Sequence, residues 1–310
     1  MSQSMKFTEV DVPGPKRDMI GYGRESPRVV WPDEARVAVS LVINYEEGSE
    51  VSMSAGDMRN EASAELPGKL EPQYRDLCNE SAFEYGSRAG IWRLQRLLDE
   101  LELKCTFFAS AVALERSPEV GQWIQEAGHE AAGHGWRWEE QWRLSRAEEE
   151  RHLQAAIESI TATCGTRPRG WYSRHSPSVH TRELLVEDGG FVYDSDATND
   201  DLPYYTTVKD TQQLVVPYSH TYNDGRFLLA DYSDPTSFFD YCSRGLDYLW
   251  KEGATHPKMM SIGLHPRWIG QAGRAHALAE FLEQTVDRGQ VWFARRIDIA
   301  EWWHEHHSEF

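Results

Sequence analysis

Apolar and polar positions along the chain sort into short apolar runs that alternate with amphipathic stretches of longer period. "RVAVSLVINY" (36–45) is rich in β-branched residues and reads as a buried strand ending in acidic positions. "RAGIWRLQRLLDEL" changes period, placing Ile91, Leu94, Leu97, Leu98 and Leu101 on one helical face. "KCTFFAS" (104–110) is the next strand. "SPEVGQWIQEAG" follows as a helix, with Ser117 as cap, Pro118 at its first position and Gly128 at its stop. "HEAAGHG" is a third strand. A Ser145–Glu148 capping box then opens a helix with Leu153, Ala156, Ile157 and Ile160 in one stripe. The alternation continues through strand-like "RGWYS", "FVYDSD", "LVVPYS", "KMMSIGLHP" and "VWFARR". Helices are predicted between them near 180–188, 235–252 and 274–287.

Strands separated by helices imply a parallel sheet. Seven or eight such strands, without a glycine-rich dinucleotide fingerprint, predict an α/β fold, a distorted (β/α) barrel, rather than an open sheet. The expected organisation is one barrel domain over 1–310, with an N-terminal arm of about 1–35 and a polar insertion of about 49–82. The insertion is too long for an ordinary connection, so it is expected to cover a pocket or meet a neighbouring subunit. The terminal "EWWHEHHSEF" holds three histidines, but it reads as an amphipathic helix packing Trp302 and Trp303 rather than as a metal-binding tail.

Composition narrows the partners. Fifty acidic against 32 basic residues give a formal net charge of −18, which argues against nucleic acid or an anionic membrane surface. Cys78, Cys105, Cys164 and Cys242 stand singly, as thiols of a reducing compartment would. The N-terminal "MSQSMKFTEVDVPGPKRD" has no apolar export core, and no run approaches eighteen apolar residues. These features predict a cytoplasmic protein.

In a parallel barrel the carboxyl ends of the strands gather the active site. Glu46 and Glu47 follow the first strand, and His134, Trp136 and Trp138 the third. Arg169, Trp171 and Tyr172 sit on the fourth, Asp194 and Asp196 on the fifth, and His265 and Arg267 after the seventh. Adjacent carboxylates repel, which leaves one ionised base and one proton carrier. The glycines flanking His134 suggest close backbone approach to a ligand. His265, after an apolar strand, is the strongest single catalytic candidate.

The order of these stretches resembles the polysaccharide deacetylase (NodB-homology, carbohydrate esterase 4-like) superfamily, and within it the PuuE-type metal-independent allantoinases. The resemblance rests on "RDMIGYGRESP" (17–27), "NYEEG" (44–48), "EYGSRAGIWRL" (84–94), "GHGWRW" (133–138) and "RPRGWYS" (167–173). It continues through "YDSDATNDDLPYY" (193–205), "VVPYSHTYNDGRF" (215–227), "PKMMSIGLHPR" (257–267) and "ARRIDIAEWW" (294–303). It implies that Glu46 acts as base, Glu47 as metal ligand, His134 and position 138 as the other ligands, and His265 as general acid. Position 138 is a tryptophan, whose indole N–H only donates and cannot ligate a cation. One imidazole and one carboxylate fall short of the three protein ligands a catalytic zinc needs. No cofactor is therefore expected to be required. Zinc or another divalent cation, held by Glu47 and His134, is the alternative.

The implied activity is hydrolysis of the C–N bond in a small cyclic amide, ureide or imide. Glu46 or Glu47 would be the base and His265 the acid. Backbone N–H groups, Arg88, Arg169 or an imidazole would hold the oxyanion. Trp136, Trp138, Trp171 and Tyr172 would wall a flat ring, with His134, Asn223, Asp224 and Arg267 at its edges. A metal-dependent N-deacetylase of amino sugars or acyl amines, or a non-catalytic binding protein on the same barrel, are the competing expectations. The resemblance also implies a homo-oligomer, a tetramer.

Overall fold

The computed structural model describes residues 10, 12–62, 70–228 and 234–310. Its strands are β1 (Val37–Tyr45), β2 (Thr106–Ala109), β3 (Glu130–Gly133), β4 (Gly170–Trp171), β5 (Tyr193–Asp194), β6 (Tyr204–Val208), β7 (Thr211–Val215), β8 (Lys258–Leu264) and β9 (Val291–Phe293). They form one curled sheet in the order β6-β7-β5-β4-β3-β2-β1-β8. Strand β1, which pairs with β2, β8 and β9, is buried along its whole length. One of its edges takes β8 from Val37 to Ile43; the other takes β9 at its start and β2 at its end. A bridge between Asn223 and Gly263 brings the segment after β7 against β8, so the sheet curls into a half-barrel.

Eight strands pair in parallel among the described residues, as the alternation predicts, and β6 adds a ninth in an antiparallel hairpin with β7. Its turn residues Lys209 and Asp210 both lie at positive φ (46° and 66°), as a tight hairpin requires. Neither is the glycine that would have announced the turn, so 197–210 reads from sequence as a loop. A helix, Leu77–Tyr85, begins within the 49–82 stretch and runs through a π-helical turn at Gly86–Gly90 into the helix Ile91–Glu100. Residues 63–69 lie outside the described residues.

Ser117 stands at the start of the helix Pro118–Ala127 without a side-chain capping bond, while two other predicted helix ends form. The helix Arg146–Cys164 opens with the Ser145–Glu148 capping box, and Pro118–Ala127 ends at Gly128 in the left-handed region. The terminal helix Arg296–His306 buries Trp303 against Trp31 of the N-terminal arm, while Trp302 donates to the Val30 carbonyl at 2.7 Å. All four cysteines are free thiols. No helix among the described residues is long and apolar enough to cross a membrane.

Period-two alternation divides each strand between the outer helices and the inside of the curl. The inside is layered. At the bottom, Arg296 is wholly buried; its Nε donates to Ser195 Oγ at 2.9 Å, Nη1 to Ser261 Oγ at 2.8 Å, and Nη2 to the carbonyls of Val216 and Pro217. Beside it Glu130 accepts from Thr106 Oγ1, Tyr193 Oη and the Ile297 amide. Above lies an apolar layer of Val42, Phe108, Ala132, Tyr172 and Tyr218, with Phe108 and Tyr172 stacked at 4.7 Å. This layer is the floor of the strand-end pocket. Arg296→Met leaves two hydroxyls and two carbonyls without their donor. A charged hydrogen bond contributes about 1.5–3 kcal/mol, so the variant should lose about 3 kcal/mol or more, read as a lower urea midpoint at unchanged slope.

Candidate active site

Alternation along β1 aims Asn44 and Glu46 inward above the aromatic floor. The Glu46 carboxylate is almost wholly buried. Its Oε1 lies 3.5 Å from His134 Nε2 and 3.5 Å from His265 Nε2, and its Oε2 lies 2.8 Å from Arg267 Nη2. Each partner is held from behind. His134 Nδ1 is 2.7 Å from the Tyr172 carbonyl, and its ring stacks on Tyr172 at 5.2 Å. His265 Nδ1 lies 2.6 Å from Asp224 Oδ1, and the His265 amide donates to Asp224 Oδ2 at 2.8 Å. Asp224 thus fixes both ring and backbone of His265.

Burial opposes ionisation of Glu46 but is outweighed by the Arg267 guanidinium, by His265 and by hydrogen bonds from both imidazoles. Its carboxyl is held well below the usual range. Burial likewise opposes the His265 imidazolium, yet Asp224 and Glu46 raise it to about 9. At neutral pH the pair is a carboxylate facing an imidazolium. Glu47 is different: burial, with Glu46 beside it, pushes it up to about 7 against the pull of Arg267. It points behind the pocket, where Oε2 accepts from the Glu46 amide and Oε1 from the Arg267 amide. A Cβ at Gly86 would come 2.4 Å from Glu47 Oε1, and one at Gly90 2.1 Å from the Pro266 carbonyl. The π-helical turn can therefore back the site only as glycine.

A cavity of about 340 Å³ opens above Glu46. Of the residues singled out from sequence, Glu46, His134, Trp138, Tyr172, Asn223, His265 and Arg267 line it. The others do not. Arg88 lies on the outer face of the π-helical turn, exposed and 3.4 Å from Glu84. Arg169 precedes β4, at the end of the sheet opposite the pocket, and pairs with Glu301. Trp171 takes the outward position next to inward Tyr172 and packs on Phe191 in the helix-facing core. Trp136 packs on His152. Asp224 sits behind His265, wholly buried, rather than at a substrate edge.

Sequence reasoning missed Arg174, His175, His220 and Glu61, which also line the cavity. Arg174 lies 3.6 Å above the Trp138 ring, donates to the Trp138 carbonyl and pairs with Glu61 at 2.8 Å. Glu61 belongs to the insertion, which thus closes one side of the pocket. His175 adopts a positive φ of 59°, unusual for histidine and found where a backbone is held by its surroundings. Its place directly after the fourth strand end was the available signal.

A divalent cation does not fit these residues. Trp138 offers only a donor and lies between two guanidiniums, Arg174 at 3.6 Å and Arg267 at 5.4 Å from its ring. Among the described residues no group of three or more His, Cys, Asp or Glu is disposed to hold a metal.

The raised His265 adds stability that is fully present below its ordinary value of 6.5 and is lost as pH rises through about 9. Asp224→Asn removes the main cause of that rise. The stability difference between wild type and Asp224→Asn should therefore shrink between pH 6.5 and 9; a constant difference in urea titrations would contradict it.

The polysaccharide deacetylase family profile matches residues 79–185. A Schizosaccharomyces pombe protein bearing the polysaccharide deacetylase name is 33% identical over 94% of this chain and 98% of its own. The crystal structure of a "probable Polysaccharide deacetylase" from Pseudomonas aeruginosa PAO1 is 43% identical, covering 94% of this chain and 98% of that one, with a TM-score of 0.89. That of Puue allantoinase is 42% identical, covering 96% and 99%, with a TM-score of 0.90. With a relative of that identity aligned along nearly its whole length, the chain belongs to the polysaccharide deacetylase family of hydrolases.

Proposed function

We propose that the protein opens the C–N bond of a small cyclic amide or ureide without a metal ion, with Glu46 as general base and His265 as general acid. The observation that carries this is the buried Glu46 carboxyl 3.5 Å from the His265 ring at the pocket floor, with Arg267 on the carboxyl and Asp224 behind the ring, an arrangement that favours the ionised acid and the imidazolium. A base must be deprotonated and an acid protonated before the reaction begins, and opposite shifts of neighbouring groups meet that need. The likeness to an allantoinase structure supports the same substrate class. So does the cavity, whose volume suits one small ring and whose wall includes Phe83, Trp138 and Tyr172.

The step balances as follows. Water gives a proton to Glu46 while its oxygen bonds to the ring carbonyl carbon, and the carbonyl π pair moves onto oxygen. Collapse of the tetrahedral adduct breaks the C–N bond, and the departing nitrogen takes the Nε2 proton of His265. The proton on Glu46 then returns to the imidazole or to solvent. Glu47, held behind the pocket, is assigned no proton transfer.

The names of the Schizosaccharomyces and Pseudomonas relatives favour a second reading, N-deacetylation of an acyl amine. The two are separated by product: ring-opened acid from allantoin, hydantoins or succinimides in one case, acetate from N-acetyl amines in the other. Turnover of the rings by chelator-treated protein is expected; acetate release alone would replace the first reading by the second. Glu46→Gln and His265→Ala should each lower kcat by about 10²–10⁴-fold. The alkaline limb of kcat/KM should fall near pH 9, following the imidazolium.

A further inference from the structure

We propose that Arg267 is the electrophile of the site: its guanidinium holds the oxyanion of the tetrahedral adduct and occupies the place in which a cation would otherwise sit. The proposal rests on the hydrolytic assignment above and adds the group that assignment leaves unnamed.

Four observations support it. Arg267 is almost wholly buried yet lines the cavity beside Glu46 and His265. Its Nη2 reaches Glu46 at 2.8 Å, but Nε and Nη1 have no hydrogen-bond partner among the described residues. Unused donors on a buried cation are costly, and such exceptions call for a missing acceptor. The side chain is also fixed. Its guanidinium lies 4.3 Å from the Trp268 ring centroid and 4.5 Å from that of Phe83, and its amide donates to Glu47 Oε1. A preorganised positive group in a dry site needs no reorganisation as negative charge develops on the substrate oxygen. Finally, Arg267 faces both acids of the first strand end, with Nη1 3.5 Å from Glu47 Oε1, and so supplies the positive charge that two adjacent carboxylates demand.

In the reaction, the carbonyl π pair displaced by the attacking water comes to rest on an oxygen beside the guanidinium. That pair returns when the C–N bond breaks, so Arg267 neither gains nor loses a proton. The planar fork matters as well as the charge. Lysine at 267 would keep the charge but gather its donors on one nitrogen and lose the fork.

Two measurements test this. With a ring that wild type opens, Arg267→Ala should lower kcat at least about 10²-fold with little change in KM. Arg267→Lys should recover only part of the loss, and added guanidinium should restore Arg267→Ala further. A raised KM at wild-type kcat would make Arg267 a substrate anchor and overturn the proposal, leaving the cyclic-amide assignment intact. The second measurement needs no substrate. Zinc titrated into Trp138→His should not bind while Arg267 remains, and should bind the double variant Trp138→His/Arg267→Ala at one equivalent, read by calorimetry and elemental analysis. Zinc bound by the single variant, or by neither, would overturn the claim that the guanidinium holds a cation's place. Native-like circular dichroism of Arg267→Lys keeps the first test valid if Arg267→Ala fails to fold.

Discussion

A carboxylate taken out of water at the end of β1 governs the pocket. Burying an ionised carboxyl is tolerable only if charges and hydrogen bonds replace its hydration. Glu46 finds Arg267 at 2.8 Å and two imidazoles at 3.5 Å. Each replacement needs its own support: Asp224 behind His265, the Tyr172 carbonyl behind His134, and the π-helical turn behind Arg267. Removing one member of such a set leaves a charge unpaired, at about 3–5 kcal/mol. The segments that build the site, distant in sequence, are thereby tied to one carboxyl group.

The same constraint separates two adjacent glutamates into different states. Glu46 and Glu47 share a strand end and a neighbouring guanidinium, but alternation sends one into the pocket and the other behind it. Glu46 meets three cationic or donating side chains and stays ionised. Glu47 is left chiefly with desolvation, one shared cation and two backbone amides, and is pushed up to about 7. Sequence adjacency alone could predict that the pair would split, not which member would take which part. The side-chain partners decide it.

Legibility from sequence followed the range of each interaction. Helix caps, the apolar strands and the strand-end residues Glu46, His134 and His265 were readable, because period and position depend on near neighbours. The β6–β7 hairpin was not, since Lys209 and Asp210 adopt positive φ without glycine. Arg88 and Arg169 were misplaced because a positive charge near a motif says nothing about which end or face of its element it occupies. Arg88 lies on an outer helical face and Arg169 one residue before β4 starts. Arg174, Glu61 and His220 enter the pocket through contacts across long stretches of chain, and no local pattern marks them.

The buried Arg296 and Arg267 stand at two levels of the barrel, and their surroundings explain why the lower one cannot be chemical. Arg296, below the aromatic floor, directs each of its three nitrogens to protein oxygens, in four hydrogen bonds. It is a strut whose charge is consumed by hydroxyls and carbonyls. Arg267, above the floor, meets Glu46 closely and Glu47 at 3.5 Å, is clamped by aromatic rings, lines the cavity and has two buried nitrogens without a hydrogen bond among the described residues. The aromatic layer between them keeps the lower cation from answering the upper acids. It also makes the pocket floor apolar, so the field of Arg267 and His265 is little screened where a substrate carbonyl would lie. The fold thus spends one guanidinium on holding the barrel together and leaves the other partly unsatisfied, the condition under which a fixed charge has free energy to give to a reacting oxygen.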